Sequence, residues 1–231
     1  MGERAVVSHT ASLAGASSIW TTLIKQAGAI MATSFEDWIN LGVGFSMVPP
    51  IRGVKVGITG GGGGHGVLNA DACEESGFNV IPIPESIRQQ IKEKAPIIWD
   101  WVSNPVDVSI MRGSGINNGE VLMMMAEHPD FDFLIGQISE DTPSSQEAYT
   151  AKVMVEYEAY TQIFKKNLKP IVVVLGDRSL GLDELSNWRW QLFAQVRSGL
   201  VNAKLPFFSS IGAATRVLKE IVRYYQKRLN N

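Results

Sequence analysis

Cysteine is almost missing from this chain: Cys73 is the only one in 231 residues. A single thiol excludes an internal disulfide and fits a reducing compartment, so a cytoplasmic protein is expected. Cys73 falls in a helix-patterned stretch and reads as core packing, the common fate of a free cysteine. Histidine is scarce as well. His9, His65 and His128 lie far apart, and with one cysteine they make no metal-ligand spacing. An excess of charge of one sign is also missing. The 21 basic and 23 acidic residues leave a net charge of −2, which points neither to nucleic acid nor to an anionic membrane. No apolar run reaches the roughly 18 residues that a membrane helix needs, and the N-terminus has no signal-peptide apolar region. The length suits one large domain, or one domain with an added piece, and is enough to bury a sizeable core.

Glycine, by contrast, is concentrated. Residues 60–64 are five consecutive glycines, preceded by a strand-like run over 54–59 and followed by helical spacing over 67–76. A helix that starts on glycines presents backbone N–H groups and a positive dipole end, a site for a phosphate or carboxylate. Gly60, Gly61, Gly62, Gly63, Gly64 and Gly66 are therefore candidate phosphate-binding residues, with His65 among them as a possible hydrogen-bond donor. Gly61-x-Gly63-x-x-Gly66 also satisfies the dinucleotide pattern, but five glycines in a row satisfy many patterns. The plainer alternative is a tight turn without a ligand, although a turn alone needs only one or two glycines.

Before the glycines, residues 19–27 and 34–40 read as two helices, the second capped by Ser34. Two helices cannot close a core, so the first fifty residues resemble the tail of a larger domain, with Pro49-Pro50 as the boundary. From Ile51 onward strands and helices alternate. Strands are expected at 54–59, 78–82, 131–138, 170–175 and 205–208. Helices are expected at 85–94, 117–127, 143–167, 182–203 and 211–229. Five strands in this alternation predict an α/β, flavodoxin-like parallel sheet flanked by helices, with a ligand crevice at the carboxyl ends of the strands. Two further loops reach that edge. In one, Thr142 as N-cap with Pro143 behind it starts a helix, making Ser139, Thr142 and Ser144 a second candidate phosphate site. The other is the polar stretch 176–181. In Asn104-Pro-Val-Asp-Val108 the asparagine precedes a proline and must be extended, and Asp107, flanked by valines, needs a partner if buried. Capping a loop and serving a site are equal readings there.

Three motifs together resemble the α part of NDP-forming acyl-CoA synthetases, relatives of succinyl-CoA synthetase. Ser8-His9-Thr10-Ala11-Ser12-Leu13-Ala14-Gly15 is similar to the family's phosphohistidine loop. The glycine run is similar to its Asn-Gly-Gly-Gly-Pro-Gly-Val-Leu-Ala-Ala loop, and Asn104-Pro-Val-Asp107 matches a third motif in the same order. The departures are Ala11 for glycine, Thr59 for asparagine and His65 for proline. The resemblance implies that residues 1–50 are the C-terminal remnant of a succinyl-CoA-ligase-like domain carrying the phosphohistidine loop, and that 51–231 form a CoA-ligase-like flavodoxin-fold domain.

It also implies a catalytic His9, phosphorylated on a neutral imidazole nitrogen, with Ser8, Thr10, His65, Asn104 and Asp107 in support. The reaction would be acid + CoA + NTP to acyl-CoA + NDP + phosphate through an acyl phosphate. The substrates would be CoA, ATP or GTP, and a small organic acid, with Mg²⁺ on a partner ATP-grasp subunit or domain of β type. The family's CoA-binding domain would precede the His loop, together with the glutamate that steadies the histidine. The chain is thus expected to be a fragment or a split-gene product, to work in an oligomer, and to be inactive alone. Two other classes compete. One is a non-catalytic flavodoxin-like module that binds a nucleotide, CoA or a protein. The other is a dinucleotide oxidoreductase, which expects an acid closing the second strand; that strand instead ends Ile81-Pro-Ile-Pro84, with Glu85 just beyond.

Overall fold

A computed structural model describes residues 17–138, 145–176 and 187–229. The chain divides into two compact units, Met1–Ile39 and Asn40–Asn231. Within the first, α1 (Ser17–Gln26) leads to the start of α2 (Phe35–Met47). Ser34 Oγ accepts the Asp37 N–H (3.0 Å), and the Asp37 carboxylate accepts the Thr33 N–H (2.8 Å), so this helix start is capped from both sides. Ile19, Trp20, Leu23, Phe35 and Trp38 are exposed.

The second unit is built on five parallel strands in the order β2-β1-β3-β4-β5. They are β1 (Lys55–Thr59), β2 (Asn79–Val80), β3 (Phe133–Ile138), β4 (Ile171–Leu175) and β5 (Phe207–Phe208). Intervening helices are α3 (Gly63–Glu75), α4 (Glu85–Lys94), α5 (Asn118–Glu127), α6 (Gln146–Lys165), α7 (Trp188–Ala203) and α8 (Ile211–Leu229). This is the expected flavodoxin-like arrangement. Strands β3 and β4 are buried along their whole length, as continuous apolar runs covered on both faces must be. One face carries α3 and α8, and the other carries α4 to α7. No helix among the described residues is long and apolar enough to cross a membrane.

Several boundaries differ from the sequence expectation, each for a physical reason. Helix α2 runs to Met47 rather than stopping at residue 40. Gly44 is buried there because α8 passes so close that a Cβ would lie 2.2 Å from Val217 Cγ1. Packing thus carries the helix through two glycines that intrinsic propensity would disfavour. Strand β2 is two residues long, not five, since Pro82 and Pro84 cannot donate to a ladder. Helix α6 starts at Gln146 with Ser145 as N-cap, its Oγ accepting the Ala148 N–H (3.3 Å); Thr142, the expected cap, lies outside the described residues. Helix α7 starts at Trp188, with the Asn187 side chain accepting the Arg189 N–H (3.0 Å).

Candidate functional site

The site begins where β1 ends. Thr59 is fully buried, and the chain then turns at Gly60 and Gly61, with φ +104° and +76°. Both need glycine. A Cβ at Gly60 would lie 1.9 Å from the Gln137 carbonyl oxygen, and one at Gly61 would lie 2.7 Å from His65 Cβ. Gly62 is extended and acts as N-cap, and α3 begins at Gly63, four residues earlier than its apolar spacing suggests. The Gly66 N–H donates to the Gly62 carbonyl (3.0 Å). The Gly66 N–H is thus taken up by the helix, and its Cα faces Pro105, 3.7 Å from where a Cβ would sit. The N–H groups of Gly63 and Gly64 precede the helical ladder and sit at the positive end of a 13-residue helix. Cβ atoms at Gly62 and Gly64 would meet nothing within 4 Å.

The Asn104 motif meets this turn from the side. The Asn104 amide fills the gap left by the short β2. Its Oδ1 accepts the Ile58 N–H (2.9 Å), and its Nδ2 donates to the carbonyls of Val56 (2.8 Å) and Ile81 (2.8 Å). The side chain stands in for a stretch of strand. Just beyond it, Val106 N–H donates to Ile58 O (2.9 Å) and Val108 N–H to Gly61 O (3.1 Å), so the motif lies along the free edge of β1. Asp107, half-buried, accepts the Ser109 N–H (2.8 Å) and hydroxyl (2.6 Å) through Oδ1. Its Oδ2 lies 3.0 Å from where a Cβ at Gly63 would be. Asp107 thus closes its own loop, as the plainer reading has it, and also stands against the first residue of α3. Gly63 faces this carboxylate, so a larger residue there meets Asp107.

A buried polar layer beneath the turn was not expected from the sequence. Asn69 of α3 donates to Gln137 Oε1 (2.5 Å). The Tyr160 hydroxyl donates to the Gln137 carbonyl (3.3 Å) and lies 3.3 Å from Thr59 Oγ1. Tyr160 reaches this point because Gly136 has no side chain: a Cβ there would lie 2.7 Å from the phenol ring. Burial, and then the Glu156 carboxylate, push the phenol well above its ordinary pKa, so it stays a neutral donor. The one sequence signal was Gln137, a polar residue inside the apolar strand Phe133–Ile138.

The other sequence-singled residues fall elsewhere. Ser8, His9, Thr10, Ser139, Thr142 and Ser144 lie outside the described residues, as does most of the 176–181 loop. Cys73 is fully buried, and desolvation, with the Glu74 charge second, raises its thiol to about 12. His128 caps the end of α5. Beside Ser86 and Asp130 it has the membership of a hydrolytic triad but not the proton arrangement. The Asp130 N–H donates to Nδ1 (3.2 Å), so the neutral ring keeps its proton on Nε2 and donates it to Ser86 Oγ (3.0 Å). A ring bonded that way cannot take the serine proton. Among the described residues, no group of three or more His, Cys, Asp or Glu side chains is placed to hold a metal ion.

No protein-family model matches the chain. Among curated proteins, it is 31% identical over 228 residues to 4-hydroxybutyrate–CoA ligase [ADP-forming] of Nitrosopumilus maritimus, a match covering 96% of this chain and 29% of that protein. It is 36% identical over 108 residues to acetate–CoA ligase [ADP-forming] of Methanocaldococcus jannaschii, covering 47% and 15%. It is 31% identical over 134 residues to the α subunit of acetate–CoA ligase [ADP-forming] II of Pyrococcus furiosus, covering 58% and 29%. Among solved structures, a dinucleotide-forming acetyl-coenzyme A synthetase 1 of Ca. Korarchaeum cryptofilum superimposes with a TM-score of 0.68 at 24% identity. That match covers all of this chain and 47% of the other, whose structure contains phosphate and ADP. The chain thus spans less than a third of these curated relatives and less than half of the solved one. It is a relative of the ADP-forming acyl-CoA ligases and corresponds to part of their α-type region.

Proposed function

We propose that this chain supplies the phosphoryl carrier and a phosphate cradle to an ADP-forming acyl-CoA synthetase. The supporting observation is that the glycine turn and the Asn104 motif, separated by a long stretch of sequence, meet at the N-terminus of α3. In this reading residues 1–50 are the end of a succinyl-CoA-ligase-like domain and 51–231 a second, flavodoxin-fold domain. A neutral ring nitrogen of His9 attacks the γ-phosphate of ATP, and ADP leaves. The Gly63 and Gly64 N–H groups hold the phosphoryl oxygens, with Gly60 and Gly61 shaping the approach and Ser139, Thr142 and Ser144 as a second set of phosphate contacts. A carboxylate oxygen of the acid then attacks phosphorus and restores neutral His9. The CoA thiolate attacks the acyl carbon, forming the thioester and releasing phosphate. ATP with Mg²⁺ is taken by an ATP-grasp partner and CoA by a separate CoA-binding domain, in an oligomer in the cytoplasm. Asp107 shares the helix end with the phosphate, so its negative charge weakens binding of the free anion.

Reconstitution tests this reading. The purified chain with ATP, Mg²⁺, CoA and acetate or 4-hydroxybutyrate is expected to form no acyl-CoA. Activity is expected once the ATP-grasp and CoA-binding parts of a cognate synthetase are added. Turnover by the chain alone, with contaminating synthetase excluded by mass spectrometry, contradicts it.

A further inference from the structure

Four polar side chains are buried directly beneath the glycine turn, and the phosphate-cradle reading does not by itself require them. Thr59 and Tyr160 are fully buried, and Asn69 and Gln137 are 2% and 7% exposed. Burying such groups has a desolvation cost that their hydrogen bonds offset only in part, and a pair of apolar side chains of like shape would fill the space about as stably. What the hydrogen bonds add is direction. The Asn69 amide, donating to Gln137 Oε1, fixes the rotation and height of α3 against β3. The backbone of the same Gln137 forms the floor of the turn, since its carbonyl oxygen occupies the space a Cβ of Gly60 would need. The Tyr160 hydroxyl, arriving from the opposite face of the sheet, bonds that carbonyl and meets Thr59, the last residue of β1. Two strand ends, the turn and the helix are thus tied at one point.

We infer that Asn69, Gln137 and Tyr160 are positioning residues that hold the Gly60–Gly61 turn and the first N–H groups of α3 at a set height above the carboxyl edge of β1 and β3. None of them touches the anion. The inference rests on the phosphate-cradle reading for its purpose, but its structural content can be measured without it.

The test uses the full chain in four forms: wild type, Tyr160→Phe, the apolar pair Asn69→Leu with Gln137→Met, and the exchanged pair Asn69→Gln with Gln137→Asn. Urea unfolding reports stability, backbone order parameters at Gly60 to Gly64 report the turn, and NMR titration with inorganic phosphate reports binding. The apolar pair is expected to unfold cooperatively near the wild-type midpoint. Its turn order parameters should drop from about 0.85 to below about 0.6, and phosphate binding should weaken about tenfold, the worth of one well-placed hydrogen bond. The exchanged pair, which can re-form the amide bond, is expected to recover both, and Tyr160→Phe to show a smaller loss of order. Wild-type order parameters in both the apolar pair and Tyr160→Phe overturn the inference. If the apolar pair fails to fold, Tyr160→Phe decides by the same criterion. Loss of order in the variants, with no phosphate titration in the wild type, upholds the positioning role and removes the phosphate reading.

Discussion

Asn104 shows how much work one side chain does in this fold. It makes three hydrogen bonds to backbone groups of β1 and of the residue after β2, and alanine would leave those groups without partners. Asn104→Ala is expected to lower stability by about 2–3 kcal/mol, read as a lower urea midpoint at unchanged slope. Asp107 has a different character. One carboxylate oxygen holds Ser109 while the other faces Gly63. Asp107→Asn keeps an acceptor for Ser109 and removes the charge, so phosphate should bind tighter by about 1 kcal/mol, some fivefold; unchanged or weaker affinity in a titration speaks against an anion at this helix end. For Cys73 the sign follows from burial. The folded thiol keeps its proton up to about 12, whereas the ordinary value is 9.0. Between those values the unfolded chain releases a proton that the folded chain holds, so stability falls as pH rises, by about 1.4 kcal/mol per unit. Iodoacetamide at pH 8 should accordingly leave Cys73 unmodified in the folded chain and alkylate it in urea. The Asn104 motif was visible in the sequence, but its work was not, because it depends on β2 being too short to pair with Ile58.

At the scale of elements, α3 is the one the site depends on, and its start was misread for an instructive reason. Consecutive glycines disfavour helix, so apolar spacing puts the start near residue 67. The helix instead runs from Gly63, where a Cβ would lie 3.0 Å from the Asp107 carboxylate, while Pro105 stands at ordinary contact distance (3.7 Å) from the place of a Cβ at Gly66. The glycines in the run therefore differ in kind. Gly64 is helical and faces open space, so Gly64→Ala should stabilise by about 0.4–1 kcal/mol. Gly60 is left-handed and pressed on the Gln137 carbonyl, so Gly60→Ala should destabilise by more than that gain, in the same urea assay. Where local chemistry is complete, the sequence reading holds closely. Helix α5 begins after Asn117, whose side chain accepts the Glu120 N–H (3.0 Å), while the Glu120 carboxylate accepts the Asn117 N–H (3.0 Å). Helix α4 begins after Pro84 and ends before Ala95, as its pattern predicts.

For the whole molecule, the alternation of strands and helices was enough to place five parallel strands, because the central strands β3 and β4 are predominantly apolar and buried throughout. The buried layer of Asn69, Gln137, Thr59 and Tyr160 was not legible. Its members come from four elements, and only the folded topology brings them together. The proposed phosphohistidine stands on a different footing, as it rests on the resemblance of the Ser8-to-Gly15 motif to the family's phosphohistidine loop rather than on geometry around His9. The most direct measurement is therefore covalent. The chain is mixed with a cognate ATP-grasp protein, Mg²⁺ and γ-³²P-labelled ATP, quenched at alkaline pH, and the label is mapped by peptide analysis. The account predicts acid-labile label on His9 in the wild type and none in His9→Asn. Absence of label in the wild type with an active partner, or equal label in His9→Asn, contradicts it.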